Sequence, residues 1–176
     1  MTASEASSLD GQLFELGVGR GYQTELRAML QGSNLFGDLS ERQIETLAKY
    51  LRAYAVKQDA SIFVEGQHAR FMCIIMQGRV KILKDSGGGR TKAIAEAGTG
   101  KSLGEMAMID DLPNSATVVA VEPVKLVTLT REDFTRLVDE NPKLAAKILW
   151  RFAKIMSERL RDTSGMLADS LDLLTQ

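Results

Sequence analysis

The chain has 176 residues, of which 44% are hydrophobic and 26% are charged, proportions typical of a globular domain with a substantial core. Its 22 Lys and Arg residues nearly balance its 23 Asp and Glu residues, which excludes an overall basic field that would attract nucleic acid. The polar residues 1–10 predict no signal peptide, no apolar run is long enough to span a membrane, and a single cysteine excludes an internal disulfide. We therefore expect a soluble, cytoplasmic protein.

The N-terminal part of the chain predicts a flexible segment followed by helices. Residues 1–21 are rich in Ser, Gly and acidic residues, and we expect them to be flexible. A short helix is predicted over residues 22–30. A clearer helix begins after Ser40, because Ser40 and Gln43 have the spacing of a capping box.

The middle of the chain predicts many short β-strands. Alternating apolar and β-branched residues, separated mostly by glycine-containing turns, mark strands over residues 53–56, 61–64, 71–76, 80–83, 92–95, 116–121 and 125–129. Many short strands at close spacing are typical of an antiparallel barrel, sandwich or roll.

The C-terminal part is predicted to be helical. Thr130 is a candidate N-cap for a helix over residues 131–140, and Pro142 starts a second helix that extends to about residue 174. Its apolar residues recur at three- and four-residue steps, the pattern of a helix–helix seam, so we expect a homodimer through residues 145–174. The alternative is a helix that packs only against its own strands.

One segment carries most of the functional information. Residues 102–109 predict a strand end, a glycine turn and one short helical turn, and residues 112–118 lead into a β-branched strand. Glu105 stands next to Gly104 at the start of the helical turn. Free backbone N–H groups at such a turn can bind an anion, and the carboxylate can accept hydrogen bonds from sugar hydroxyls.

This segment resembles the phosphate-binding cassette of cyclic nucleotide-binding domains, which runs Phe-Gly-Glu-(Leu/Met)-Ala-Leu, a variable loop, then Pro-Arg-x-Ala-Thr-Val. The resemblance covers about residues 34–165, with further matches at residues 63–66, 76–80, 120–124 and 129–142. It implies a mainly β fold, a double-stranded β-helix or jelly-roll (β-roll), with N-terminal helices and a long C-terminal helix.

The resemblance also implies a division of the chain and a role for the first half of the cassette. The division is a flexible segment (residues 1–21), a β-roll with its N-terminal helices (22–140) and a dimerisation helix (141–176). Glu105 would accept the ribose 2′-hydroxyl, and the backbone N–H groups of Met106 and Ala107 would meet the cyclic phosphate. Gly104 would permit a close approach that a side chain would block.

The second half of the cassette departs from the family pattern at one position. Ser115 would donate to the phosphate and Ala116 would keep the pocket floor small, but Asn114 stands where the family has arginine. Losing the charge-assisted hydrogen bonds of that arginine would weaken binding by roughly ten- to a hundredfold. Four interpretations stay open: low affinity, substitution by another cation such as Lys101 or Arg90, a different ligand, or an empty pocket.

A further match lies in the long helix. The stretch from Arg159 to Ser164 resembles the Arg-Leu-x-x-Thr-Ser stretch in the dimerisation helix of catabolite activator proteins, where the hydroxyls contact adenine, one of them from the partner subunit. Thr163 and Ser164 are therefore candidate ligand contacts, although they lie about one helical turn later along the helix than in those proteins. The other interpretation is that Thr163 and Ser164, with Gly165, simply end the helix.

Enzymatic functions are not favoured by the remaining motifs. Residues 95–102 fit a relaxed phosphate-loop pattern, but its first glycine is replaced by Ala95 and no alternating strand–helix pattern surrounds it. The single histidine, His68, has no neighbouring cluster for a metal site. We expect no catalytic residues, no cofactor and no metal.

We predict a regulatory module that binds cyclic AMP and signals through its long helix to an unidentified protein effector. Too few residues follow Ser164 for a helix-turn-helix, so no DNA-binding motif is expected in this chain. The module would either stand alone or form part of a longer chain. The alternative is a degenerate interaction module that binds another small anion, such as cyclic di-GMP, or no ligand.

Overall fold

Nine strands and four helices have defined bounds in the described part of the molecule, and residues 26–27 and 30–31 are also helical. A computed structural model describes residues 13–17, 26–27, 30–87, 90–110 and 112–174. The strands are β1 (Leu13–Gly17), β2 (Leu51–Val56), β3 (Ser61–Phe63), β4 (Phe71–Gln77), β5 (Val80–Asp85), β6 (Thr91–Ala97), β7 (Ser102–Leu103), β8 (Thr117–Ala120) and β9 (Val124–Thr130). The helices are α1 (Glu41–Ala48), α2 (Glu105–Ile109), α3 (Arg131–Glu140) and α4 (Pro142–Leu174).

The strands form two antiparallel sheets, which is the jelly-roll arrangement expected from the sequence. One sheet has the order β1-β2-β9-β4-β7 and the other has the order β3-β8-β5-β6. A first apolar cluster includes Val80, Val118 and Leu126 and joins the inner faces of the two sheets. A second cluster packs the outer face of the five-stranded sheet against the helices and contains Phe36, Leu47, Phe134 and Phe152.

Strand β4 lies between these two clusters, and this explains its unbroken apolar run. Phe71, Cys73 and Ile75 belong to the cluster between the sheets. The alternate residues Met72, Ile74 and Met76 face the helices. Because successive side chains of a strand point to opposite faces, burial of both faces requires an apolar residue at every position.

The predicted elements are found with small changes at their ends. The seven predicted strands correspond to β2–β6, β8 and β9. Ser40 and Gln43 form the predicted capping box at α1, and Thr130 caps α3 through the N–H of Asp133. Strand β1 was not predicted; it pairs with β2 inside the segment expected to be flexible. Residues 26, 27 and 30 are helical, within the helix predicted over 22–30, whereas residues 1–12, 18–25 and 28–29 lie outside the described residues.

Helix α4 continues through Gly165 to Leu174, so the interpretation in which Thr163, Ser164 and Gly165 end the helix is wrong. The hydroxyls of Thr163 and Ser164 instead donate to the carbonyls of Arg159 and Leu160, each at 2.8 Å, which is compatible with a helical backbone. One exposed glycine costs about 1 kcal/mol in a helix interior, too little to break a helix of this length.

The two halves of α4 have different surroundings. Leu144, Ile148, Phe152 and Ile155 are buried in the helical core, where the Phe152 and Phe134 ring centroids lie 5.8 Å apart. Residues 158–172 are exposed throughout. Ile155 is thus the last residue of the helix in the helical core. None of the described helices is long and apolar enough to cross a membrane.

Candidate ligand-binding site

The geometry of Gly104 brings α2 against strand β4. Strand β7 pairs with β4 through Leu103 and Cys73, and the chain then turns at Gly104, which has a φ of 85° and is the N-cap of α2. A Cβ at Gly104 would lie 2.9 Å from Cζ of Phe63 and 3.0 Å from the carbonyl oxygen of Phe71. The groups that approach Gly104 closely are thus Phe63 and Phe71 of the same chain. Glycine is required both by this contact and by the positive φ.

Glu105 is the first residue of α2, and its side chain is only 1% exposed. A buried carboxylate must be paired or hydrogen-bonded, because the free energy of removing its charge from water is otherwise prohibitive. Here the hydroxyl of Ser102, itself buried, donates to Glu105 Oε1. The first residues of α2 also have backbone N–H groups without an intrahelical acceptor. A carboxylate and backbone N–H groups without an intrahelical acceptor therefore stand side by side at the start of α2, and their binding of a ligand stays a prediction.

Arg159 of α4 is the main partner of Glu105. Its Nη1 donates to Glu105 Oε2 at 2.8 Å, and its Nη2 donates to Oε1 at 3.2 Å. The same Nη2 donates to the carbonyl of Ser102. No functional role is predicted for Arg159 itself from the sequence, because a contact between residues 54 positions apart leaves no periodic signal. This contact joins the cassette to the long helix.

The thiol of Cys73 lies next to this network and is fully buried. Burial, and to a smaller extent the charge of Glu105, raises the pKa of Cys73 far above its usual range. A thiol that stays protonated is not a nucleophile. Cys73 is therefore a free, buried cysteine of the core.

Asn114, at the position of the family arginine, is held by the turn after β3. Its side-chain amide donates to the carbonyl of Val64 at 3.1 Å. Its backbone N–H donates to the carbonyl of Gln67 at 2.8 Å, and its own carbonyl accepts from the N–H of Gly66 at 2.9 Å. The Asn114 amide therefore has a partner within the chain, and a role in ligand binding stays a prediction.

The cation found beside the second half of the cassette is Lys84, from β5. Its Nζ donates to the Ser115 carbonyl at 2.6 Å and also pairs with the Glu65 carboxylate. Hydrogen bonding to Lys84, and then to the N–H of Asp85, lowers the pKa of Glu65. In the described contacts neither Lys101 nor Arg90 reaches this region: Lys101 lies in the turn before β7 and Arg90 near the β5–β6 turn.

The other residues predicted to contact the ligand differ in their exposure. Ala116 is partly buried at the start of β8, whereas Met106 is 47% exposed and Ala107 is buried. Thr163 and Ser164 are exposed, about one turn beyond Arg159, and are not brought to Glu105 within this chain. Their contact with a ligand stays a prediction.

Strand β6 is exposed along most of its length. Ala95 pairs with Ile82 and shares its face with Ala97, which is buried between the sheets. Ala95 is nevertheless exposed. Ala95 therefore lies at the margin of the core, on the edge strand of its sheet. Among the described residues, no group of three or more His, Cys, Asp or Glu side chains is arranged to hold a metal ion.

Comparison with known proteins adds independent evidence. Residues 55–141 match the sequence profile of the cyclic nucleotide-binding domain. The chain is 30% identical to a cyclic nucleotide-binding domain from Methylobacillus flagellatus, whose crystal structure matches with a TM-score of 0.82 over 92% of this chain and 91% of that one. The Thermus thermophilus catabolite activator protein is 31% identical, with a TM-score of 0.68 over 81% of this chain and 63% of that one.

A curated relative gives the same result over part of its length. The cyclic AMP receptor protein of Thermus thermophilus is 31% identical over 146 residues, which are 83% of this chain and 64% of that protein. The chain thus spans less than two thirds of this relative. Because the bacterial domain of similar length is matched almost from end to end, the chain belongs to the cyclic nucleotide-binding domain family.

Proposed function

We propose that this protein is a non-catalytic, cytoplasmic regulatory module that binds a cyclic nucleotide, with cyclic AMP as its ligand. The observation that carries the proposal is the position of Glu105. This buried carboxylate stands at the first turn of α2, beside N–H groups that favour an anion. A cyclic nucleotide offers both a ribose hydroxyl for the carboxylate and a phosphate for the N–H groups.

Arg159 supplies a route from this site to α4. A ribose hydroxyl that donates to Glu105 competes with the Arg159 guanidinium for the same oxygens. Ligand binding then changes the free energy with which α4 is held against the cassette. This differential contact is what a population shift requires.

The exposed part of α4 is proposed to form the homodimer interface and to contact a protein effector. Leu149, Leu160, Leu167 and Leu171 are 41%, 68%, 59% and 54% exposed. Their separations are sums of three- and four-residue steps, as in a helix–helix seam. A second copy of α4 packed along this row would remove its apolar surface from water.

A second candidate function is supported by two contacts in the site. The Asn114 amide is already bonded to Val64, and Glu105 is already paired with Arg159. A site whose polar groups are satisfied by the chain suits an interaction module that binds another small anion, such as cyclic di-GMP, or no ligand.

Calorimetric titration with cyclic AMP, cyclic GMP and cyclic di-GMP separates the two candidates. We expect heat with cyclic AMP, and an affinity reduced at least about tenfold in Glu105→Gln, which lacks the negative charge. Glu132→Gln, an exposed glutamate on α3, is the matched control and should bind like the wild type. Absence of heat with all three ligands at millimolar concentration would refute the first candidate.

A further inference from the structure

We propose that Lys84 is the phosphate-binding cation of this site. It takes the role of the family arginine, whose position is occupied here by Asn114. The inference rests on the proposed function, because a cyclic nucleotide supplies the phosphate. It assigns to a residue of β5 a role that the family pattern places in the cassette. Three observations carry it: the face of β5 on which Lys84 lies, its contact with Ser115, and the exchangeable nature of its ion pair.

Lys84 lies on the inner face of β5. Val80 is fully buried between the sheets, and Ile82 packs against the same cluster. Because side chains alternate along a strand, Lys84 continues this row on the same face. It stands where the strand leaves the core, opposite Lys92 of β6. A charged residue on the inner face of a β-roll is expected only where that face opens to solvent or to a ligand.

The contact with Ser115 places the ammonium beside the second half of the cassette. Lys84 Nζ lies 2.6 Å from the carbonyl oxygen of Ser115, the residue expected to donate to the phosphate. The neighbouring Asn114 amide is bonded to Val64 and carries no charge. Among the described contacts, Lys84 is the cation that reaches this half of the cassette.

The ion pair with Glu65 can exchange for a phosphate. The Lys84 side chain is 46% exposed and that of Glu65 is 25% exposed, so the pair is largely solvated and contributes little stability. Glu65 keeps a second partner, since its Oε2 accepts from the N–H of Asp85 at 2.9 Å. The flexible lysine side chain lets the ammonium move toward a ligand, while Glu65 keeps its hydrogen bond to Asp85. Since an ammonium is a point charge without the two-pronged geometry of arginine, we expect modest, salt-sensitive affinity.

The test compares Lys84→Met with Lys81→Met, an exposed lysine on the same strand but on its outer face. Each variant and the wild type are titrated calorimetrically with cyclic AMP and with adenosine, which has the same base and ribose without the phosphate. We expect Lys84→Met to bind cyclic AMP about tenfold more weakly and adenosine equally well. Lys81→Met should match the wild type for both. Glu65→Gln, which removes the competing charge, should tighten cyclic AMP binding, and Lys84→Arg should bind at least as tightly as wild type.

The outcomes separate the two proposals. Unchanged cyclic AMP affinity in Lys84→Met overturns the assignment of Lys84 and leaves the proposed function standing. Equal weakening of cyclic AMP binding and adenosine binding also overturns the assignment of Lys84. In that case Lys84 would only stabilise the turn after β3 through its pair with Glu65. A wild-type protein that does not bind cyclic AMP overturns both. Thermal melts of every variant exclude loss of the fold as the cause of a loss of binding.

Discussion

The guanidinium of Arg159 donates two hydrogen bonds to the carboxylate of Glu105. Its Nη1 lies 2.8 Å from Oε2 and its Nη2 lies 3.2 Å from Oε1. The two side chains differ in exposure, since Glu105 is 1% exposed and Arg159 is 44% exposed. The cassette carboxylate thus depends on a cation that reaches it from the solvent-exposed half of α4. A substitution of either residue therefore alters the hydrogen bonding of the other.

Replacing Arg159 by methionine should destabilise the fold, because it leaves the buried Glu105 charge with only Ser102 as a described partner. Removing one partner of a fully buried pair costs about 3–5 kcal/mol, and the partial exposure of Arg159 reduces this to roughly 2 kcal/mol in the free energy of unfolding. Urea denaturation measures the change. Arg161→Met, an exposed arginine on the same turn, is the control.

A double-mutant cycle with Glu105→Gln tests whether this effect comes from the pair. In a background with a neutral residue at position 105, Arg159→Met should cost much less, giving a coupling of at least about 1 kcal/mol. Additive effects of the two substitutions would contradict a direct energetic link between α4 and the cassette.

Gly104→Ala should destabilise the protein more than Gly66→Ala. Both glycines have positive φ, 85° and 78°, so alanine at either adds a backbone strain of about 1–2 kcal/mol. At Gly66 nothing lies within 4 Å of an added Cβ, whereas at Gly104 it would meet Phe63 at 2.9 Å. The clash adds roughly 1–3 kcal/mol, which equilibrium denaturation of the two variants would resolve. Equal losses would show that both Phe63 and the backbone at Phe71 shift to accommodate the added Cβ without cost.

Local sequence patterns predicted the strands and helices but not the contacts between them. The Ser40 capping box and the strand in the apolar run 71–76 depend on neighbouring residues, so spacing alone indicates them. The pairing of Arg159 with Glu105 depends on where α4 passes the cassette, which no local pattern encodes. Lys84 lies one residue beyond the predicted strand 80–83, and only the longer observed strand, Val80–Asp85, places it on the same face as Val80 and Ile82.

Protonation of Asp38 should weaken the attachment of α4 to the segment before α1. A hydrogen bond from Arg151, whose Nε lies 3.1 Å from Oδ1, is the largest cause that lowers the pKa of Asp38 below its ordinary value of 3.8. A carboxyl with a lowered folded-state pKa stabilises the fold above the unfolded-state value. That stability is lost as the pH falls through the lower, folded-state pKa.

Asp38→Asn should therefore lower the midpoint of thermal unfolding slightly at neutral pH and leave it unchanged in strong acid. Because Asp38 is 44% exposed, solvent screening limits the difference at neutral pH to less than about 1 kcal/mol. The gap between the two proteins should start to close near pH 3.8, the ordinary value, and vanish only once the pH is below the lower, folded-state pKa of Asp38. A gap that persists in strong acid would mean that the Asp38 charge is not its source.

Charged substitutions in the exposed leucine row should separate the proposed dimer. Leu160 and Leu167 are 68% and 59% exposed and lie seven residues apart, so they repeat at one face of a helix–helix seam. The double variant Leu160→Glu, Leu167→Glu would place four acidic side chains along the shared interface, where like charges and lost apolar contacts both oppose association. Sedimentation velocity should show a dimer for the wild type and a monomer for this variant.

The control for the dimer prediction is Arg161→Glu, which adds an acidic residue next to the row without interrupting it. It should leave the sedimentation coefficient unchanged. The monomeric variant should also lose helical circular dichroism, because residues 158–172 are exposed and have little tertiary packing to hold them once the partner helix is gone. A wild-type protein that sediments as a monomer would contradict the seam and leave α4 attached only to its own domain.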